Sequence, residues 1–587
     1  MIYDRTFDNG YVIGVNAMIV SDYIVEFLIK NIVTDVFGYP GGMVTQLMDS
    51  LDKYKDKIHQ HVCFNEQAGA FEACGYAQSS GKLGVAFATS GPGATNLITG
   101  ICDAWFDSIP VLFITGQVNT NEMKNHMKIR QRGFQETDIV TMVSSVTKYA
   151  KTLKKTADVP SALKKAVYTA FSGRKGPVLL DIPMDVMKSE INGTLENESI
   201  QTSIGLERVY DCIGSLDVIS RKLAEAKRPC ILAGSGIKQS ASVPEFRKVV
   251  SNLHIPVVTS MTAVDILDSE DTYNYGFIGA YGDRCANFII AKSDLIITMG
   301  ARLDVRQVGA IRSDFAKEAS VIRIDIDQNE LDYKVHNNEI DIHCDLKVLL
   351  NGIRKISSVD VWSEWIAICA RIRESLKNMD RQTSTGMVGL ISTKIPDNVT
   401  ITTDVGQNQV WIAQAFHIKK GQRILFSGGH GAMGCSLPAA IGAYYALHRP
   451  VMAFMGDGGL QMNIQELEFL QRDRIPVKVI VLNNHALGMI RHFQEMYFDS
   501  NYVDTTIDSG YAVPDLQEIA RAYSLEYHFA ENNDEITAEW FTSMNPAIIE
   551  ISLPDNTYVY PKLRFGMPNQ DQEPLISREI YNEIMEL

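Results

Sequence analysis

Three doubly wound α/β domains with parallel sheets are the fold this sequence predicts, on three observations. Short apolar runs rich in β-branched residues recur along the chain, longer helical patterns separate them, and several runs end in glycine-bearing turns. Strands covered on both faces read as near-continuous apolar runs, and the intervening helices supply the crossovers that parallel pairing needs. At 587 residues the chain also exceeds what one hydrophobic core organises, and length alone suggests roughly three or four domains.

The runs that read as strands are, in order, Val85–Thr89, Val111–Thr115, Val178–Ile182, Cys230–Ala233, Leu295–Met299, Val321–Asp325, Val451–Met455 and Val477–Leu482. Two polar stretches interrupt the alternation. Lys188 to Ile204 is rich in Asn, Glu, Ser and Thr, and Ser357 to Thr385 carries an amphipathic helix between polar flanks. Read as linkers, they delimit units near residues 10–190, 205–355 and 375–560. The remainder, 561–587, contains Pro561, Pro568 and Pro574 and reads as a tail wrapping the surface, with a short terminal helix. No short-period repeat is visible, although the first and third units remain free to share a fold.

The formal net charge is −15, which argues against a broad nucleic-acid footprint, since that demands a basic surface. Nine cysteines are scattered singly with no CxxC pair, so zinc spacing is absent. Most lie in apolar segments, where a reduced thiol packs as a small hydrophobe, and a cytoplasmic location follows. The N-terminus lacks a signal-peptide pattern, and no apolar run approaches the roughly 20 residues of a membrane span.

Three short segments carry the chemistry. Gly456-Asp457-Gly458-Gly459 follows the strand-like run 451–455, and Asn483-Asn484 follows the next such run. Ligands of open α/β sheets bind beyond the carboxyl ends of strands, and adjacent parallel strands would present Asp457 and Asn484 side by side. Magnesium prefers octahedral oxygen ligands and keeps few protein ones. Asp457, the Asn484 carbonyl, a backbone carbonyl near Ala486, two phosphate oxygens and a water would complete such a sphere. Gly-Asp-Gly is common in turns, and Asn-Asn commonly caps or turns a chain; the pairing at two strand ends, with one crossover helix (Leu460–Arg474) between, is the informative part.

The third segment is Glu66, after the apolar run His61–Phe64 and before a small-residue helix, Ala68–Ala77. A first-turn acid is favoured by the helix dipole in any protein. Glu66 also suits a carboxyl hydrogen-bonded to an aminopyrimidine ring nitrogen, with which it would share a proton. Thr89-Ser90-Gly91-Pro92-Gly93-Ala94-Thr95-Asn96 then reads as a strand end, a glycine turn and a helix start. An activating carboxylate and an oxygen-ligand metal site for a diphosphate together match the needs of thiamine diphosphate.

These segments, with Gly38-Tyr39-Pro40-Gly41-Gly42, Ile114–Val118, Phe134-Gln135-Glu136-Thr137, Pro177–Pro183, Thr403-Asp404-Val405-Gly406-Gln407, Gly431-Ala432-Met433-Gly434 and Leu437–Ala443, make nearly the whole chain resemble thiamine-diphosphate enzymes of the acetohydroxyacid (acetolactate) synthase type, catalytic subunit. The resemblance implies a pyrimidine-binding domain (10–190), a central FAD-binding domain (205–355) and a diphosphate- and Mg2+-binding domain (375–560). It implies that Glu66 activates the cofactor, with Gln135 and Lys148 as polar residues near the reacting carbonyl. Pro40, Gly41 and Asn96 would contact the cofactor's pyrimidine end. Gly406, Gln407, Gly431, Gly456, Gly458, Gly459, Leu487, Gly488 and Met489 would surround the rest, with Met433 propping it into a bent form. Asp457, Asn484 and Ala486 would hold the metal. FAD would lie against Gly234, Gly236, Gly300, Arg302, Asp304, Arg306, Asp325 and Asp345, where Arg302 and Arg306 could fork onto a diphosphate or make ordinary surface ion pairs. The flavin's part would be structural.

Departures from the family pattern bear on the acceptor. Met184 stands where Lys is usual, Phe493 where Trp is usual, Tyr281 where His stands, and Asn65 where His is common. The stretch Asn119–Gly133 is longer than usual and basic, with Lys124, His126, Lys128, Arg130 and Arg132. It is either a solvated surface loop or an anion-recognising lid. This loop and the tail weakly resemble relatives that move a two-carbon unit onto a keto sugar. The activity implied is decarboxylation of pyruvate and ligation of the hydroxyethyl unit to a second 2-oxo acid, giving 2-acetolactate; acetyl transfer to a keto sugar or other carbonyl acceptor stays open, as does a catalytically silent or regulatory paralogue. The expected partners are small molecules and a second copy of the chain in a homodimer or homotetramer, with the cofactor site shared between subunits and neither nucleic acid nor membrane involved.

Overall fold

In the computed structural model the described residues are 18–191, 213–356, 361–377, 379–380 and 382–587. They form three six-stranded sheets and one short antiparallel pair, Met18–Ile19 with Glu190–Ile191. Every pairing inside the large sheets is parallel. The predicted class, three parallel α/β domains, is the observed one.

The first sheet runs, in spatial order, His59–Val62, Asp35–Gly38, Gly84–Ala88, Val111–Gln117, Val178–Pro183, Tyr149–Thr152. The third runs Arg423–Phe426, Thr400–Thr403, Val451–Gly456, Val477–Asn483, Ala547–Ser552, Glu526–Ala530. Numbered within their own domains, both orders read 2-1-3-4-6-5, so the first and third units do share a topology. The central sheet runs Asn274–Phe277, Val257–Thr259, Pro229–Ala233, Leu295–Met299, Ser320–Asp325, Glu339–His343, an order of 3-2-1-4-5-6. In each sheet the chain reverses direction across the sheet beside its first strand, and the carboxyl ends flanking that point open a crevice.

The first and third domains meet through two helices with little side chain between them. Helix Glu66–Ser80 packs on helix Ser436–Leu447. A methyl group at Gly75 would overlap Ala439, and one at Gly442 would overlap the Glu72 carbonyl. Glycine is needed here because two backbones approach directly.

Three expectations change. The stretch Ser357–Thr385 is more than a linker: helix Ser363–Leu376 drives Trp365 and Cys369 into the central core beside Trp362. Their indoles donate to main-chain carbonyls, Trp365 to Pro229 at 3.0 Å and Trp362 to Ala226 at 2.9 Å. Polar flanks hid a buried tryptophan stripe. The other expected linker lies, from residue 192 onward, outside the described residues.

The tail is built into a seam instead of lying on the surface. Lys562 and Glu573 exchange main-chain hydrogen bonds, the Leu563 N–H donates to Ala280 O at 2.7 Å, and Asn569 Nδ2 donates to Gln307 O at 2.7 Å. Gln572 is fully buried, and its carbonyl accepts from Arg284, itself paired with Asp380 at 2.8 Å. The terminal helix is Arg578–Glu586. Cys63, Cys74, Cys102, Cys230, Cys285, Cys369 and Cys435 are free thiols. Cys344 departs from the all-thiol expectation and is disulfide-bonded, and Cys212 lies outside the described residues.

Candidate active site

The candidate residues of the first domain gather at the carboxyl ends of its strands. Asn65 caps helix Glu66–Ser80 by accepting from the Gln67 N–H at 2.8 Å, which fixes Glu66 in the first turn. Glu66 is buried, and its Oε2 accepts from Asn96 Nδ2 at 2.9 Å. Gly93 keeps the space beside it, since a β-carbon there would stand 2.9 Å from Glu66 Oε1. Gln135 has φ +64°, and its β-carbon lies 2.9 Å from where one on Gly91 would be. A non-glycine residue in the left-handed region persists only where its surroundings over-determine it. Gly41 presses on Thr89, whose hydroxyl accepts from the Met43 N–H at 3.2 Å, while Pro40 is exposed at the end of strand Asp35–Gly38. Gly41, Glu66, Asn96 and Gln135 therefore share one rim built around the turn Thr89–Asn96.

Lys148 is not on that rim. Its ammonium donates to Ser172 O at 2.6 Å and to Thr169 O, carbonyls at the C-terminal end of helix Val159–Phe171. A cation is well placed at such an end, and the expectation that Lys148 reaches the reacting carbonyl gives way to a clamp on this helix.

In the third domain, strands Val451–Gly456 and Val477–Asn483 pair in parallel with Gly456 opposite Leu482, so Asp457 and Asn484 leave the sheet side by side. Asp457 is buried, and its Oδ2 has no hydrogen-bond partner. Burial pushes its carboxyl up to about 6, against the opposing pull of backbone amides such as that of Gly458. Asn484 Nδ2 donates to Gln407 Oε1 at 3.1 Å, and Gln407 Nε2 donates to Thr557 O at 2.8 Å. That leaves the Asn484 amide oxygen as its acceptor. The Ala486 carbonyl already accepts from the Gly488 N–H at 2.9 Å and retains a second lone pair. His485, between these residues, has φ +51°.

The cradle around them is made of close approaches. Gly406, φ +95°, opens helix Gln407–Ala415, whose amides point to where an anion would bind. A β-carbon on Gly458 would stand 3.0 Å from Leu487 Cδ2 and Tyr511 Oη and 3.3 Å from Met433 Cε. One on Gly459 would reach Asp404 at 2.9 Å, and one on Gly488 would collide with Gln407. Met433 stays part-exposed, Gly431 (φ +69°) donates its N–H to Ser427 Oγ at 3.1 Å, and Met489 packs against the third domain's core. The expected crossover helix is split into Asp457–Met462 and Leu467–Asp473.

These residues fit Mg2+ with a diphosphate. The donors are hard oxygens, one of them an orphaned buried carboxylate. Among the described residues no group of three or more His, Cys, Asp or Glu side chains could hold a metal unaided, so phosphate oxygens and water must complete the sphere. Metal and diphosphate would therefore bind together.

Sequence reasoning missed two groups. The Asp404 carboxylate accepts from Val405, Gly434 and Ser436 N–H at 2.9, 3.1 and 3.2 Å, tying the Met433 loop to the Gly406 loop. Its signal was present, an acid just past strand Thr400–Thr403. Tyr511, beside Asp457, comes from an irregular segment and had none.

The central domain opens into a cavity of about 440 Å³ that also takes Phe106, Asp107 and Arg174 from the first domain and Gly428 and Gly429 from the third. Gly236, Gly300, Arg302, Asp304, Arg306, Asp325 and Asp345 line it, and Gly234 backs onto Gly300. Arg302 pairs with Asp304 at 2.8 Å, and Arg306 lies over the Tyr281 ring at 5.7 Å. Asp304 Oδ1 accepts from the Arg306 N–H and Asp345 Oδ1 from the Lys347 N–H, each at 2.9 Å, and the Asp325 carboxylate accepts from the Asp327 N–H. Glycine strand ends beside a three-domain cavity fit a dinucleotide such as FAD. Gly300 has φ +62° and lies against Gly236, so Gly300→Val is expected to yield protein without the flavin absorbance bands that still binds thiamine diphosphate and Mg2+ by calorimetry.

Outer sheets of equal strand order, a carboxylate rim, strand ends that fit Mg2+ with a diphosphate and a central cavity that fits a dinucleotide are together the features of a thiamine diphosphate enzyme. Three family models agree: the N-terminal TPP binding domain of thiamine pyrophosphate enzymes matches residues 18–142, the central domain 216–353 and the C-terminal TPP binding domain 404–551. Within that class the chain belongs to the acetolactate synthase family. It is 35% identical to an acetolactate synthase large subunit of Lactococcus lactis, over 91% of this chain and 92% of that one. It is 33% identical to the isozyme 2 large subunit of Escherichia coli, over 94% and 98%, and 31% identical to the chloroplastic acetolactate synthase 2 of Nicotiana tabacum, over 93% and 84%. Thiamine diphosphate, Mg2+ and FAD are the cofactors of this family.

Proposed function

We propose that this enzyme decarboxylates pyruvate and joins the remaining two-carbon unit to a second 2-oxo acid, giving 2-acetolactate. Thiamine diphosphate supplies the electron sink for carbon dioxide loss and carbon–carbon bond formation. Asp457, Asn484 and the Ala486 carbonyl would hold the metal beside its diphosphate, and Glu66, oriented by Asn96, would hold or release a proton at its aminopyrimidine. Gln135, on the same rim, supplies a hydrogen bond to the reacting carbonyl. The observation that carries this reading is the Glu66–Asn96 pair held at 2.9 Å at the strand ends of one domain, while another domain of equal topology leaves the Asp457 Oδ2 buried and unpaired. The purified holoenzyme given pyruvate alone should produce acetolactate; carbon dioxide without a ligated product would count against the reading.

The complete site belongs in this reading to two copies of the chain, Glu66 from one and Asp457 from the other. The family's relatives support an oligomer, and the cooperative form is tested by mixing. Glu66→Gln and Asp457→Ala subunits, each inactive, should recover about one quarter of wild-type activity after random re-pairing in dimers, because half of the sites in hybrids then carry neither change. No recovery would place both groups of a site on one chain. No described helix is long and apolar enough to cross a membrane.

A second reading keeps the pyruvate half-reaction and changes the acceptor. It is favoured by Met184, which supplies no cation for an incoming carboxylate, and by Phe493, part-exposed on helix Gly488–Tyr497.

A further inference from the structure

The basic segment that follows strand Val111–Gln117 has a defined shape and an unused charge. Glu136 is buried, and its two carboxylate oxygens accept from the Lys124 N–H at 2.6 Å and the Arg132 N–H at 2.9 Å. Gln131 Nε2 closes the ring on the Glu136 carbonyl at 3.0 Å, and Lys124 Nζ donates to Arg130 O at 3.1 Å. Residues 124–132 are therefore a pinned excursion whose two ends meet over one carboxylate. Both Glu136 oxygens accept from backbone, and Glu136 forms no ion pair with a side chain of the segment.

The cations point outward. His126, Lys128, Arg130 and Arg132 are exposed, and residues 124–132 include no acidic residue in a chain of net charge −15. No ion pair among the described residues uses Lys128, Arg130 or Arg132. Nearby acids are occupied: Glu122 accepts from Asn119, and Asp138 from Thr141. Exposed lysines are ordinary. Cations left unpaired by so acidic a protein, on a segment with a fixed base, are less so.

Its position ties the segment to the reaction. At one end, Gln135 sits against Gly91 on the rim that holds Glu66 and Asn96. At the other, the Thr120 N–H donates to Asp185 Oδ1 at 3.0 Å, one residue from Met184. The base of the excursion thus spans the strand ends from Gln135 to Met184. A 2-oxo acid carries its carboxylate on the atom next to the reacting carbonyl, so its cation must stand close to that carbon. Met184 cannot provide one, whereas Lys128, Arg130 and Arg132 are exposed on the excursion pinned at Glu136.

We propose that residues 124–132 form an anion-binding rim that admits a carbonyl acceptor carrying a phosphate or diphosphate group remote from its reacting carbon. The inference rests on the pyruvate donor reaction above and adds an acceptor class to it. Arginine forks match phosphoryl oxygens two at a time. The reaction balances without a further reagent. Pyruvate loses carbon dioxide, and the two-carbon unit forms one new carbon–carbon bond to the acceptor's carbonyl carbon. The acceptor's carbonyl oxygen becomes a hydroxyl, the transferred unit leaves as an acetyl group, and one proton is taken up overall.

The test compares acceptors that differ only in the phosphate, using the full-length holoenzyme with saturating pyruvate. Glyceraldehyde 3-phosphate should show a KM at least about 10-fold below that of glyceraldehyde, rising with ionic strength. The triple variant Lys128→Met, Arg130→Met, Arg132→Met should erase that difference, with kcat and acetolactate formation from pyruvate alone unchanged. UDP, titrated calorimetrically onto the holoenzyme, reads the rim without turnover: binding lost in the triple variant extends the site to nucleoside diphosphates. Equal KM values for the two aldehydes, together with UDP binding absent or unaltered by the triple variant, would overturn the proposal. Absence of carbon dioxide from pyruvate would instead sink the donor reading, and the UDP titration would still decide the rim.

Discussion

Glu66→Gln is expected to lower pyruvate turnover by about 10²- to 10⁴-fold, the range associated with a positioned proton-transfer group, and to leave thiamine diphosphate affinity within a few-fold of wild type. The substitution keeps the shape of the side chain, and the glutamine Oε1 can still accept from Asn96 Nδ2, which stands 2.9 Å from the carboxylate. The turn Thr89–Asn96 should stay in place, since its glycines pack against the same atoms. What disappears is a group able to hold or release a proton at the pyrimidine ring. Two measurements separate this from a packing effect. Proton–deuterium exchange at the cofactor's thiazolium C2, followed by NMR, should slow with kcat. Calorimetric titration of the cofactor should not change. A variant that exchanges C2 and turns over at wild-type rates would remove Glu66 from the mechanism.

Much of this was legible in the sequence because the determinants are local. Val451–Met455 and Val477–Leu482 are continuous apolar runs, and a run buried on both faces has few alternatives to a central parallel strand. Asp457 and Asn484 follow those runs directly, so naming the strands also placed the residues. The shared strand order of the outer domains was not legible, since pairing order depends on which helices cover which face and leaves no short-range pattern. Lys148 was misread for a similar reason. A lysine eleven residues before a helix start says nothing of reaching back to that helix's last carbonyls, as it does to Ser172 O at 2.6 Å. The tail was misread because Gln572, Asn569 and Lys562 are polar yet buried. Asn569 and Gln572 reach main-chain carbonyls of the central domain 262 and 290 residues away, Gln307 O and Gly282 O, and Lys562 Nζ lies 3.5 Å from His492 Nδ1 of the third domain.

In the proposed site the outer domains divide their labour along the same topology. Each carries its candidate groups at the carboxyl ends of its sheet, yet one offers a carboxyl with a side-chain amide partner and the other a carboxyl whose Oδ2 has none. The difference is physical. A carboxyl held by Asn96 is fixed in orientation, which a proton exchanger requires. A buried carboxylate oxygen with no partner is costly by itself, and a cation relieves the cost.

Asp457→Ala is therefore expected to affect the free and loaded proteins in opposite directions. Without metal, the wild-type protein buries the Asp457 carboxyl with Oδ2 unsatisfied, and burial raises its pKa to about 6. Removing it should leave the cofactor-free protein as stable or more stable, by about 1 kcal/mol, the scale of one unsatisfied buried polar group. The loaded state should suffer heavily. Asp457 is the only anionic member of the proposed metal set, since Asn484 and the Ala486 carbonyl are neutral, and Mg2+ has few protein ligands to lose. Thiamine diphosphate affinity should fall at least about 100-fold, or roughly 2.7 kcal/mol, because Asp457 would supply the charge that holds the metal against the diphosphate. Thermal unfolding reads both effects in one experiment. Wild type should gain melting temperature when Mg2+ and thiamine diphosphate are added together, as ligand linkage requires, and lose the gain on treatment with EDTA. The variant should start level or higher and show no gain at the same concentrations. A variant less stable than wild type without cofactor, or one that keeps the full ligand-induced shift, would show that Asp457 is a structural acid and that the metal sits elsewhere.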